Sequence, residues 1–146
     1  MKIAFVDDNM GVGSFTGEVR SALRDLEDGR TYEVIFFYAA NTAHALAQIV
    51  EYRPDMVSLD YAFFDEPLNG GNGATLALAI EREFIQRGWP APLMATHSKR
   101  PTTELEQKFA DTPVKTFLVE YFMRAWQPSV TLVLEWVLAA SQTKST

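Results

Sequence analysis

Five short runs rich in apolar and β-branched residues recur along the chain, and between them lie patterns with the 3.6-residue period of helices. The runs are IAFV (3 to 6), YEVIFFY (32 to 38), DMVSL (55 to 59), PLMAT (92 to 96) and TFLV (116 to 119). After the first, Val19, Ala22, Leu23 and Leu26 share one helical face, closed by Gly29. After the second, Ala45, Leu46, Ile49 and Val50 do the same, opened by Asn41 or Thr42 and stopped before Pro54. A third helix is predicted over residues 74 to 87 with Gly88 as its stop, and a fourth over 103 to 110. A fifth is predicted from Pro128, a residue suited to a first helical turn, to about Ser141. Strands and helices alternating through short connections predict an α/β, doubly wound parallel sheet with helices on both faces.

The chain has 146 residues and is 47% hydrophobic, enough for one core, so one domain is expected over residues 1 to 141 with 142 to 146 a loose tail. No apolar run is long enough to span a bilayer, and the amino terminus enters a strand without the basic region and apolar stretch of a signal peptide. A cytoplasmic protein is expected. The absence of cysteine excludes disulfides, thiolate zinc sites and cysteine nucleophiles, and two histidines leave little for a histidine-rich metal centre. Any metal would be a hard, oxygen-liganded ion. A net charge of -6 with scattered basic residues argues against direct binding of nucleic acid.

In a parallel sheet of this kind the ligand site lies beyond the carboxyl ends of the strands. The first run ends in Asp7 and Asp8, the third in Asp60, the fourth in Thr96, His97 and Ser98, and the fifth in Glu120. Two adjacent carboxylates at the end of a buried strand raise the free energy of the folded chain unless water or a cation surrounds them. Four carboxylates meeting at one rim demand a cation. Mg²⁺ (or Mn²⁺) suits them, with Asp7, Asp8 and Asp60 as ligands, because it takes carboxylate oxygens, keeps waters and accepts phosphate. The plainer alternatives are a solvated Asp7/Asp8 pair capping the next turn, Asp60 as a cap, His97 as a hydrogen-bonded rim residue, and Glu120 turned outward to solvent.

GVGSFTG (11 to 17) does not fit a dinucleotide fingerprint, because Asp7, Asp8 and Asn9 intervene after the strand and the second strand ends FFYAAN without an acidic residue. A flexible loop over the acidic site is expected there. GGNG (70 to 73) is a turn before the third helix rather than a phosphate loop, since no lysine follows. In PSVTLVLEWVLAAS the residues Val130, Leu132, Val133, Leu134, Trp136, Val137 and Leu138 leave hardly any polar face. One side must cover the sheet. The other, with Tyr121, Phe122 and Trp126 nearby, either tolerates exposure or is covered by a partner or a second copy.

These residues resemble the receiver domains of two-component response regulators over nearly the whole chain. The resemblance implies a flavodoxin-like fold with strand order 2-1-3-4-5 and five helices. It makes Asp7 and Asp8 the Mg²⁺ ligands, Asp60 the phosphoacceptor, Thr96 or Ser98 the hydroxyl that senses the phosphoryl group, and Phe117 the aromatic switch. It also implies a sensor kinase or other signalling protein as partner, and, because receivers commonly pair around the fourth helix, fifth strand and fifth helix, a homodimer through the last helix and fifth strand. The sequence departs from the family at Glu120-Tyr121, where receivers carry lysine and proline. An anion there opposes a phosphoryl group by several kcal/mol, on the order of the Coulomb energy at a few ångströms in a partly buried site. Lys99 and Arg100 could return a positive charge. The loops YAFFDEPLNGGNG and 9 to 17 are longer than in most receivers.

Ser58-Leu59-Asp60, Gly73 and His97-Ser98 are also similar to receiver-like proteins thought to process cyclic phosphates, although Tyr61 and Ala62 stand where that group has histidine and aspartate. The expectation is a stand-alone atypical receiver-like module with no DNA-binding region following it, acting through protein contacts. The alternative is a small metal-dependent phosphohydrolase or cyclic-phosphate enzyme in which the same carboxylates work with His97 and Ser98.

Overall fold

The structure, a computed structural model, describes residues 1–63, 71–122 and 125–144. Its elements run β1 (Lys2–Asp7), α1 (Val12–Arg24), β2 (Glu33–Tyr38), α2 (Thr42–Tyr52), β3 (Met56–Leu59), α3 (Gly73–Gln86), β4 (Leu93–Thr96), α4 (Thr102–Lys108), β5 (Val114–Phe117), β6 (Val119–Phe122), β7 (Ala125–Pro128) and α5 (Val130–Lys144). The five-stranded sheet has the order β2-β1-β3-β4-β5 and is parallel throughout. This is the doubly wound arrangement the alternation requires.

The pleat sorts each strand's side chains onto two faces. Ala4, Val6, Val57 and Leu59 join Ala45, Ile49, Leu76, Ile80, Phe84, Leu105 and Phe109 in one core beneath α2, α3 and α4. Ile3, Phe5, Met56 and Ala95 join Val19, Leu23, Val133, Trp136, Val137 and Ala140 in the other, beneath α1 and α5. On the outer edge of β2, Arg20 of α1 donates to the Val34 carbonyl at 2.9 Å and Gln48 of α2 donates to the Tyr38 carbonyl at 3.2 Å. Among the described residues no helix is long and apolar enough to cross a membrane.

Three expectations change. The segment 11 to 17 is not a loop: α1 begins at Val12, because the Asn9 side chain accepts the Gly11 N–H at 2.9 Å and the Asn9 carbonyl accepts the Val12 N–H at 3.1 Å. Gly13 packs close to Phe36 on β2. The fifth strand ends at Phe117 rather than running to Val119. Leu118 is still tied to the sheet through Thr96 O at 2.8 Å, and then Val119 enters an antiparallel hairpin, β6 with β7, that returns the chain at Pro128. Pro128 therefore closes the hairpin, and α5 starts at Val130 and passes the Ser141 boundary to Lys144. Residues 145 and 146, and the side chains of Tyr121 and Phe122, lie outside the described residues, as does the loop from 64 to 70.

Helix α5 is buried on one side only. Val133 and Val137 are fully buried and Trp136 is 9% exposed, whereas Leu138 is half-buried. Trp136→Ala should lower the unfolding free energy by about 3–5 kcal/mol and Leu138→Ala by about 1 kcal/mol or less, read from urea titrations of the two variants. Equal costs would place Leu138 in the core and remove the free side of the helix.

Candidate functional site

The carboxyl ends of β1, β3 and β4 converge, as the sheet order demands. Asp60 continues the ladder beyond β3 by donating its N–H to the Val6 carbonyl at 3.1 Å, which sets it beside Asp7 and Asp8. One carboxylate oxygen from each of Asp7, Asp8 and Asp60 lies within 4.8 Å of the others. With Asn9, His97, Ser98, Lys99 and Pro128 they line a cavity of about 190 Å³. Glu120 is not in it: its side chain is exposed on β6, where it pairs with Gln127. The fourth carboxylate expected at the rim is thus carried away from it by the hairpin. Phe117 is half-buried against the core under α2, α3 and α4 and lies beside Thr96 in the ladder.

The two hydroxyls after β4 divide their work. Thr96 is fully buried and donates to the Leu59 carbonyl at 2.6 Å. Ser98 donates to Asp60 Oδ1 at 2.7 Å, and the Tyr61 N–H reaches the same oxygen at 2.9 Å. Of the two candidates, Ser98 is the one on Asp60. A contact of 3.1 Å between the Thr96 and Ser98 hydroxyls couples them.

His97 is 1% exposed and bonded at both nitrogens: Nε2 to Asp7 Oδ2 at 2.8 Å and Nδ1 to Ser58 Oγ at 2.8 Å. An ionised carboxylate can only accept, so Nε2 carries the proton of the first bond. The Ser58 hydroxyl can donate to a neutral ring or accept from a charged one, so the chain Ser58–His97–Asp7 holds in either state. The pleat explains the grouping, since Phe5 and Asp7, Met56 and Ser58, and Ala95 and His97 follow one phase onto the α1/α5 side. Ser58 had entered only through a family likeness. A lone hydroxyl in the buried run MVSL was the signal that a polar partner had to come from the next strand.

The three carboxyls titrate apart. Burial pushes Asp7 up, but the hydrogen bond and attraction of His97 and the Asn9 N–H at 2.8 Å outweigh it and hold the group below the ordinary carboxylate value. Burial, a hydrogen bond shared with Asp7 and the charges of Asp60 and Asp7 push Asp8 up to about 6. Asp60 is raised by burial and by the charge of Asp7, against the lowering effects of His97, Ser98 and the Tyr61 N–H. Both raised acids reflect burial and the repulsion of neighbouring carboxylates, which a bound cation would relieve. The donor set, three carboxylates each with an oxygen within 4.8 Å of the others, fits a hard divalent ion.

Gly73 secures the geometry from α3. Asn72 caps that helix by accepting from the Ala74 and Thr75 N–H groups, with Thr75 completing a capping box, and Gly73 donates its own N–H to the Tyr61 carbonyl at 2.6 Å. A Cβ at Gly73 would stand 2.1 Å from the Asp60 carbonyl oxygen and 2.8 Å from Tyr61 Cα. Only glycine admits this approach, so the start of α3 is pressed directly against the backbone that carries Asp60.

No protein-family model and no curated protein matches the sequence. Solved structures do. A two-component response regulator from Clostridium difficile superposes with a TM-score of 0.70 at 13% identity, over 100% of this chain and 99% of that one. The BeF3-activated N-terminal receiver domain of RstA from Klebsiella pneumoniae gives 0.62 at 18% identity, over 94% and 97%. The N-terminal domain of an uncharacterized protein from Wolinella succinogenes gives 0.59 at 16%, over 99% and 96%. At such identities the likeness establishes the fold alone: the chain has the receiver-like fold, with the strand order and helices that its sequence resemblance implies.

Gly73→Ala should shift the Asp60 backbone, costing about 1–3 kcal/mol of stability. Mg²⁺ is expected to raise the melting temperature of wild type, and Gly73→Ala should lose that rise although every carboxylate is intact. A variant that keeps the wild-type rise would separate Gly73 from the site. A second expectation concerns pH. Asp8 has a folded value of about 6 against 3.8 for the free group, so the folded chain holds more protons between these values and its stability falls as pH rises from about 4 to 6. In chelator, the stability of wild type relative to Asp8→Asn should decline across that window. A flat difference would show that Asp8 is not perturbed.

Proposed function

We propose that the chain is an atypical receiver-like signalling module: Asp7, Asp8 and Asp60 hold Mg²⁺ or Mn²⁺, Asp60 accepts a phosphoryl group, and the output passes through protein contacts. The observation that carries this reading is the convergence of Asp7, Asp8 and Asp60 with the Ser98 hydroxyl already on Asp60. Each part has a chemical role. A divalent ion, when bound, would offset the negative charge that opposes attack by an Asp60 oxygen on phosphorus; the new O–P bond forms as the bond from phosphorus to the donor's atom breaks, and the donor group leaves with that electron pair. The Ser98 hydroxyl and the Tyr61 N–H, both on Oδ1, fix the plane of the Asp60 carboxylate. Ser98 is also placed to change partner once Asp60 is modified, and Thr96 and Phe117 adjoin it along the β4–β5 edge.

Glu120 does not oppose this chemistry, because its charge sits in solvent on the hairpin. The partner is proposed to be a sensor kinase or another signalling protein, in line with the receiver fold. The exposed side of α5 is proposed as the contact between two copies. His97 supports the signalling reading over the enzymatic one: one of its nitrogens holds Asp7 and the other is engaged by Ser58, which makes it a positioning residue rather than a free base.

With Mg²⁺ present, beryllium fluoride should bind wild type and raise its melting temperature, since a ligand of the native state alone stabilises it. Asp60→Asn should lose that response, and Asp8→Asn should lose both it and the response to Mg²⁺ alone. Sedimentation of the same samples reads the assembly, and a monomer at high concentration with and without the mimic would count against paired copies. Turnover of a cyclic phosphate that vanishes in His97→Ala would replace signalling by the enzymatic alternative.

A further inference from the structure

The cluster, once metallated, is short of positive charge. A divalent ion offsets two of its three carboxylates, and a dianionic phosphoryl group on Asp60 adds more negative charge than the esterified carboxylate removes. In a partly buried cavity such an excess is costly and calls for a further cation. Among the described residues few groups can supply it. His97 stands behind Asp7 with both nitrogens engaged. Arg100 is tied to Glu104 at 2.8 Å and lies over the Tyr61 ring, 5.4 Å from its centroid. Position 120, to which the receiver resemblance assigns the cation, is an exposed glutamate on β6.

Lys99 is different. It follows directly on Ser98, whose hydroxyl is on Asp60, and it lines the cavity that holds Asp7, Asp8 and Asp60. It forms no ion pair among the described residues. It also lines the adjoining groove of about 250 Å³, between Phe15 and Glu18 of α1 and Gln127 and Pro128 of β7. We propose that Lys99 supplies the ammonium that holds the phosphoryl oxygens on Asp60, from the end of β4 instead of the end of β5. The hairpin completes the arrangement, because the chain that leaves the sheet after Leu118 removes position 120 from the rim and brings Pro128 back as a wall beside Lys99. An anion reaching Asp60 along the groove passes this ammonium. The lysine is thus both an anchor for the tetrahedral group and a selector for anionic ligands at the entrance.

This inference rests on Asp60 as the phosphoryl acceptor, and the test separates the two. Beryllium fluoride is titrated into the full chain in saturating Mg²⁺, followed by calorimetry and by the ¹⁹F signal of the bound mimic. Wild type, Asp60→Asn, Lys99→Met, Lys99→Arg and Glu120→Gln are compared. Lys99→Met should bind the mimic roughly ten- to a hundredfold more weakly, the loss of one charge-assisted hydrogen bond. Lys99→Arg should recover most of the affinity. Glu120→Gln should match wild type, and Mg²⁺ alone should bind Lys99→Met at least as tightly as wild type, because a repelling charge has gone. Mimic binding that depends on Asp60 but is unchanged in Lys99→Met would overturn the role of Lys99 and leave Asp60 standing. A gain of tenfold or more in Glu120→Gln would place that carboxylate at the site and overturn the geometry argued here. Failure of wild type to bind the mimic in an Asp60-dependent way would overturn the reading of Asp60, and this inference with it.

Discussion

Asp7 is a carboxylate 5% exposed at the end of β1, an interior strand of the sheet, and the hydrogen bond from His97 is what makes that burial tolerable. An ion pair or charge-assisted bond in such a place does not add much net stability, because desolvation consumes most of the attraction, but removing one partner leaves the other stranded at a cost of several kcal/mol, on the order of 3–5. The same holds for Ser58, a fully buried hydroxyl in the strand beside β1 whose partner is the other ring nitrogen. One imidazole therefore satisfies two strands at once. It sits where β1, β3 and β4 end together, so the lateral fit of the three strands and the placement of Asp8 and Asp60 follow from it.

A consequence is that the three acids are not equivalent. Asp7 is fixed, ionised and braced from behind, so it behaves as part of the frame. Asp8 and Asp60 carry the electrostatic tension, with raised affinities for protons that a cation would release. Asp60 is further shaped by the tight start of α3, where the absent side chain of Gly73 allows helix and strand end to touch. Precision at the site is thus supplied by packing and backbone contact rather than by the acids themselves, which repel one another.

The sheet was legible because each of its strands is a short apolar run bounded by helical periodicity, and the site was legible because acidic residues in apolar surroundings stand at the ends of those runs. What escaped has a physical reason in each case. TFLVEYF reads as one strand because apolar character is unbroken through Leu118, and FMRAW carries no glycine, asparagine or aspartate to announce a hairpin. The departure is instead decided by where Leu118 hydrogen-bonds, a tertiary matter. The glycines of 11 to 17 suggested a loop by composition, whereas Asn9 provides the turn that starts α1. Glu120 was placed at the rim by counting from the strand and moved off it by the same hairpin. The His97 chain could have been inferred from strand phase alone, given that Ser58 pairs with Ala95 and that His97 lies two residues further on.

The guarded border of β2 sets a rule for how copies of this chain can meet. An edge strand offers outward carbonyls and amides as a template for another strand, the usual route to runaway fibrous association. Here Arg20 descends from one helical layer and Gln48 from the opposite one, and each occupies an outward carbonyl, at Val34 and at Tyr38. An incoming strand would have to displace a guanidinium and an amide before gaining its first main-chain bond. Continuous sheets across molecules are thereby discouraged, and association is directed to helical surfaces, where it can be closed, reversible and responsive to the state of the rim.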